Sequence, residues 1–159
     1  MTQAAFTTGI VSLLNEATFD AAVRALLPAG AVTGAIPVLL GNRRVEQIAS
    51  QYPACWVVEQ GDGRVSPIAD ETGLTIGGAL QQFEGAILIS LVWIEQEPAA
   101  AVTAKQALPT LVTQLLLRNP QPGGISGAWL DTWQSDRGGN APVQVWGASI
   151  AGTYQTPRA

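Results

Sequence analysis

Six residues, Asn119-Pro120-Gln121-Pro122-Gly123-Gly124, constrain this chain more than any other stretch. The prolines fix φ and lack N–H donors, and the glycines reach left-handed conformations, so neither a helix nor a central strand passes through. Upstream, Pro98 to about Leu117 reads as a helix. Pro98 suits a first turn, Glu95 and Glu97 lie beside the positive end of the dipole, and Arg118 closes the far end. Ala104, Ala107, Leu108, Leu111, Val112, Leu115 and Leu116 form one helical face. Pro109 is discordant and predicts a kink or a restart at Leu108. Downstream, Ile125–Gln134 and Pro142–Gln155 read as two strands. The polar, glycine-bearing Ser135–Asn140 joins them as a hairpin with a mobile tip. The two strands alternate less strictly than the others, and Trp129, Asp131 and Trp133 share one face of the first, with Leu130 and Thr132 between them.

Phe83–Glu95 is the strongest strand. Phe83, Ile87, Ile89, Leu91 and Trp93 alternate with Ala86, Leu88, Val92 and Ile94, so both faces are apolar and both need cover. The long helix covers one, and another helix or another copy of the chain must cover the second. Earlier in the chain, Met1 to Leu14 is weakly patterned. Thr18 is a candidate N-cap for a short helix with Phe19, Ala22, Val23, Leu26 and Leu27 on one face, stopped by Pro28. Ala29–Gly34 is a small-residue loop, and Pro37 makes Ile36–Leu40 an edge strand or a strand start. Arg43–Ser50 fits a helical turn or an irregular segment, and Ala54–Gln60 is a strand. Gly61-Asp62-Gly63-Arg64 reads as a turn, and Val65–Leu80 as a long loop or protruding hairpin. The expected fold is α+β: a mainly antiparallel sheet packed by one long and one short helix, with that extension, in one domain spanning residues 1–159.

Composition excludes more chemistry than it offers. At 159 residues the chain can bury about 70% of the surface exposed when unfolded. Charged residues are only 13% and the net charge is −4, so partner subunits are expected to cover part of the apolar surface. No basic cluster exceeds Arg43-Arg44, which argues against sequence-specific nucleic-acid binding. There is no histidine, and the one cysteine, Cys55, lies in an apolar run as a buried thiol. General acid–base schemes built on histidine, histidine-assisted nucleophiles and common zinc sites are therefore absent. Asp62, Asp70 and Glu71 lack the ordered spacing of a calcium loop, and Gly61-Asp62-Gly63 lacks the lysine of a phosphate loop. No catalytic, cofactor or metal site is expected, and structural protein is preferred over enzyme. The five tryptophans read as core and interface anchors, with a ligand pocket as the lesser reading. No secretory leader and no long uncharged apolar run is seen, so membrane association is not expected and assembly in the cytoplasm is.

The order short helix, Ile36-Pro37 strand, Ala54–Gln60 strand, long strand into helix, Asn119–Gly124 break and closing hairpin resembles the tail terminator (tail-completion, minor tail protein U-like) proteins of tailed bacteriophages. The likeness covers most of Phe19–Thr156 and rests on an order of elements with one short motif. Val65–Leu80 and Pro109 have no counterpart in it. The resemblance implies an α+β subunit of a ring, usually six-fold, at the head-proximal end of the tail tube. Such a ring stops tube polymerisation and meets the head connector, with DNA passing through its lumen and no catalytic residue. Its partners would be other copies of itself, the tail tube protein and the head–tail connector protein, and its place the virion. The polar segments expected to meet those partners carry Asp62, Arg64, Asp70, Glu71, Asp136 and Arg137. Two alternatives stand beside this: another head–tail connector or tail-tube subunit, and a small-ligand-binding or enzymatic α+β domain that uses its tryptophans as a pocket.

Overall fold

The strand richest in apolar residues takes the centre of the sheet. The computed structural model describes residues 2–41, 44–67 and 80–157. In it β3 (Leu80–Ile94) lies between β2 (Ala54–Pro67) and β5 (Val143–Pro157). β1 (Val38–Leu40) and β4 (Gly127–Ser135) form the two edges, giving the order β1-β2-β3-β5-β4. β1 runs parallel to β2, and every other neighbouring pair is antiparallel. Among the described residues four α-helices accompany the sheet: α1 (Gln3–Leu14), α2 (Ala17–Arg24), α3 (Val45–Gln51) and α4 (Pro98–Arg118). The fold is α+β, as expected, with two more helices than the sequence suggested.

One face of the sheet holds the main core. Phe6, Ile10 and Leu14 of α1, Phe19 and Val23 of α2, and Leu108, Val112 and Leu115 of α4 pack there against Trp56, Ile87, Ile89, Leu91, Trp93, Trp146 and Ile150. The Phe19 and Trp56 rings stack at 5.9 Å. Trp56, Trp93 and Trp146 are fully buried, and none of their indole N–H groups finds an acceptor among the described residues. Burying an indole is favourable by about 4–6 kcal/mol at the usual area coefficient, while an unmet N–H costs about 1–3, so burial wins. Asp20 is 3% exposed and accepts from Ile36 N at 2.9 Å and Arg24 Nε at 2.7 Å, which ties the loop after α2 to its own helix.

The second face is covered at one end. Ile48 of α3 meets Cys55, Val57 and Val92, with Leu39, Val45 and Tyr52 packed around them. Further along that face Leu88 is 38% exposed. The two-faced apolar strand is thus explained in part by α3, in the segment left undecided between a helical turn and irregular chain.

Several local expectations are corrected. Met1–Leu14 is no weak lead-in: Thr2 Oγ1 caps α1 by accepting from Ala5 N at 3.1 Å, and Phe6, Ile10 and Leu14 form a narrow buried stripe at i, i+4, i+8. The cap of α2 is Glu16 rather than Thr18. Gly61-Asp62-Gly63 is not a turn. Gln60 pairs with Ile87 and Gly63 with Gly85, so one extra residue makes a β-bulge and β2 continues to Pro67. This places the base of a hairpin where a loop or hairpin was expected, and residues 68–79 lie outside the described residues. α4 runs as one element from Pro98 to Arg118 with Pro109 inside it, so the helix does not restart. Trp129 and Trp133 do not share a face. A second bulge at Asp131 pairs Trp129 with Ala151 but Trp133 with Ala148, an odd step that turns the two indoles to opposite sides of the sheet.

Candidate interaction surfaces

Of the six polar residues singled out by sequence, the four described ones fall in two separate places. Asp70 and Glu71 lie outside the described residues. Asp62 sits exposed in the β2 bulge, and Arg64 pairs across strands with Glu84 at 2.7 Å in an exposed position. These line a broad cleft of about 690 Å³ on the second face of the sheet, together with Leu88, Asp131, Thr132 and Ser149. Trp129, paired with Ala151, belongs to the same face and is 42% exposed.

Asp136 and Arg137 belong to a different place, a cleft of about 1120 Å³ between α4 and the β4–β5 connector. Its apolar wall comes from Ala101, Val102 and Pro109 of α4 and from Trp133, which is 57% exposed. Pro98 and Pro142 close its end. The polar floor is a network the sequence did not reveal. Lys105, the single lysine, donates from Nζ to Asp136 Oδ1 at 2.7 Å, to Gln144 Oε1 at 2.7 Å and to the Asp136 carbonyl at 3.3 Å. Gln144 Nε2 donates in turn to the Glu95 carbonyl at 3.3 Å, and the Glu95 carboxylate accepts from Glu97 N at 3.0 Å. Asp136 Oδ1 also accepts from Val145 N at 3.3 Å. Asp136 was expected in a mobile tip offering its charge to a partner. Its side chain is only 16% exposed and fastens the start of the connector to α4. A sequence signal existed, since Lys105 lies between Ala104 and Leu108 at the border of the buried helical face.

This floor clamps the start of the connector to α4. An ammonium has three donors, and three acceptors occupy those of Lys105, leaving none for a substrate. Among the described residues no group of three or more metal-ligating side chains occurs. No helix among them is long and apolar enough to cross a membrane. The five tryptophans divide between two duties: Trp56, Trp93 and Trp146 fill the core, while Trp129 and Trp133 stand exposed on the edge strand. Arg137 is exposed beside the larger cleft and makes no ion pair among the described residues, and the same holds for Asp62 and Asp131 at the smaller one.

The chain matches no protein-family model and no curated protein.

Proposed function

We propose that this chain is a structural virion protein that forms a closed ring on the head-proximal end of a phage tail tube, ends tube polymerisation and joins the tail to the head connector. The observation that carries the reading is the incomplete cover of the sheet by the described residues. α1, α2 and α4 pack on one face, α3 reaches only one end of the other, and Leu88 and Trp129 are left exposed there. Large exposed apolar groups on a chain with few charges mark a surface that a partner covers. The order of elements, with the Asn119–Gly124 break between helix and hairpin, supports assigning that partner to a tail. The reading involves no cofactor and no catalysis.

The test is a tube-polymerisation assay with purified tail tube protein. A terminator shortens and sharpens the length distribution and is found at tube ends. A tube subunit instead makes long tubes by itself, and a protein absent from tubes that leaves their lengths unchanged removes the proposal. The larger cleft favours a second reading, small-ligand binding, because its apolar wall over a polar floor has the form of a ligand pocket. A monomer whose melting temperature rises with one compound from a metabolite panel, and falls back when Val102 is changed to Asp, would establish that reading instead.

A further inference from the structure

We infer that a second copy of this chain docks head-to-tail, the cleft beside α4 and Trp133 on one copy receiving the Asp62/Asp131 face of the next. This rests on the ring reading and names the surfaces that make the ring.

Three observations carry it. The first is the bulge at Asp131, which turns Trp129 and Trp133 to opposite sides of one edge strand. Both are exposed; Trp133 lines its cleft together with the exposed Val102, and Trp129 lies on the same sheet face as the exposed Leu88. A two-fold contact joins a patch to itself and leaves the opposite one bare, whereas a head-to-tail contact covers both on every copy. The second is charge. In the larger cleft Lys105 is paired with Asp136 and Glu95 is 8% exposed, so among the charged residues that line it Arg137 is the exposed one. In the smaller cleft Arg64 is neutralised by Glu84, so the remaining charges are the carboxylates of Asp62 and Asp131. The two surfaces thus present opposite signs, which attracts a second copy in the head-to-tail orientation and repels each surface from its own duplicate. The third is composition. Exposed tryptophans anchoring an apolar patch rimmed by charge are what well-defined interfaces use.

The test uses the full chain and four variants, with circular dichroism to show that each folds. Trp129→Ser and Trp133→Ser each remove the anchor of one surface. At a concentration where the wild type assembles, each variant alone is expected to be monomeric, with association weakened about tenfold or more. Mixed one to one, they are expected to give a dimer and nothing larger, because only one intact pair of surfaces exists. Arg137→Glu is expected to weaken assembly, and Arg137→Glu with Asp131→Arg in the same chain to recover it. If either tryptophan variant assembles like the wild type, or the charge exchange gives no recovery, the proposed pairing is wrong while the ring reading stands. A wild type that stays monomeric and leaves tube length unchanged overturns both.

Discussion

Gly9 of α1 and Gly123 of the turn after α4 meet backbone to backbone. A side-chain carbon on Gly9 would lie 2.8 Å from Gly123 Cα and closer still to its nitrogen, and one on Gly123 would overlap the Ala5 carbonyl. Gly123 also has φ +67°. The helix break therefore does more than end α4. It forms the seat for the N-terminal helix, whose Phe6 continues into the core over Gly152, where an added Cβ would come within 2.7 Å of both the Phe6 ring and Ile125 Cδ1.

Gly9→Ala is expected to lower stability by about 1–3 kcal/mol, the usual range for overpacking. Helix propensity alone favours this change by roughly 0.5–1 kcal/mol, so the sign of the result distinguishes the two effects. Valine at Gly123 adds backbone strain to the overlap and is expected to cost at least as much, while valine at Gly124, φ +77°, is expected to cost roughly 1–3 kcal/mol. Gly34→Ala, where a Cβ meets nothing within 4 Å, is the control and is expected to stay within about 0.5 kcal/mol of wild type. Urea unfolding of the four variants measures all of this, and a neutral or stabilised Gly9→Ala protein contradicts the packing described.

Lys105→Met is expected to destabilise the protein by about 1–3 kcal/mol. It leaves the Asp136 carboxylate and Gln144 without their shared donor in a site where the paired side chains are only 13% and 16% exposed. The loss should be local, appearing as faster amide exchange at Asp136 and Val145, whose backbone groups bond each other at 3.0 Å. Unchanged exchange there would show that the clamp is not what holds the connector.

Tyr154 stacks on Phe83 at 5.1 Å and donates to Gln3 Oε1 at 3.3 Å, and burial raises its pKa above the ordinary 10.0. Below pH about 10 the phenol is protonated both folded and unfolded, so its contribution is intact. Above that, the unfolded chain ionises first, and stability falls until the folded-state pKa is passed. Wild type is therefore expected to lose melting temperature relative to Tyr154→Phe as the pH rises past about 10, and to run parallel to it from pH 7 to 9. Parallel curves throughout would contradict the burial of this hydroxyl.

What the sequence made legible were the elements whose signal is local and repeated. α4 has seven apolar residues on one face and a proline start, and the apolar alternation of β3 marks it as a strand without reference to anything else. The parts not legible depend on a partner far along the chain. α1 shows only a three-residue stripe of fully buried side chains, because it is also held by backbone against Gly123 and by Gln3, which donates to the Ala86 carbonyl and accepts from the Tyr154 hydroxyl. Gly61-Asp62-Gly63 has the composition of a turn. Whether it turns or bulges is decided by the register of Gln60 on Ile87 and Gly63 on Gly85, which no window around residue 62 contains. The same holds at Asp131, where one unpaired residue reverses the faces of Trp129 and Trp133 and divides the candidate surface in two.

A closed assembly of identical copies, as proposed, is visible in native mass measurement at several concentrations, with and without tail tube protein. One discrete species is expected at an integer multiple of the 16.6 kDa chain, unchanged in size as concentration rises and found at tube ends when tube protein is present. A 16.6 kDa monomer at every concentration, neither joining tubes nor limiting their growth, would contradict it.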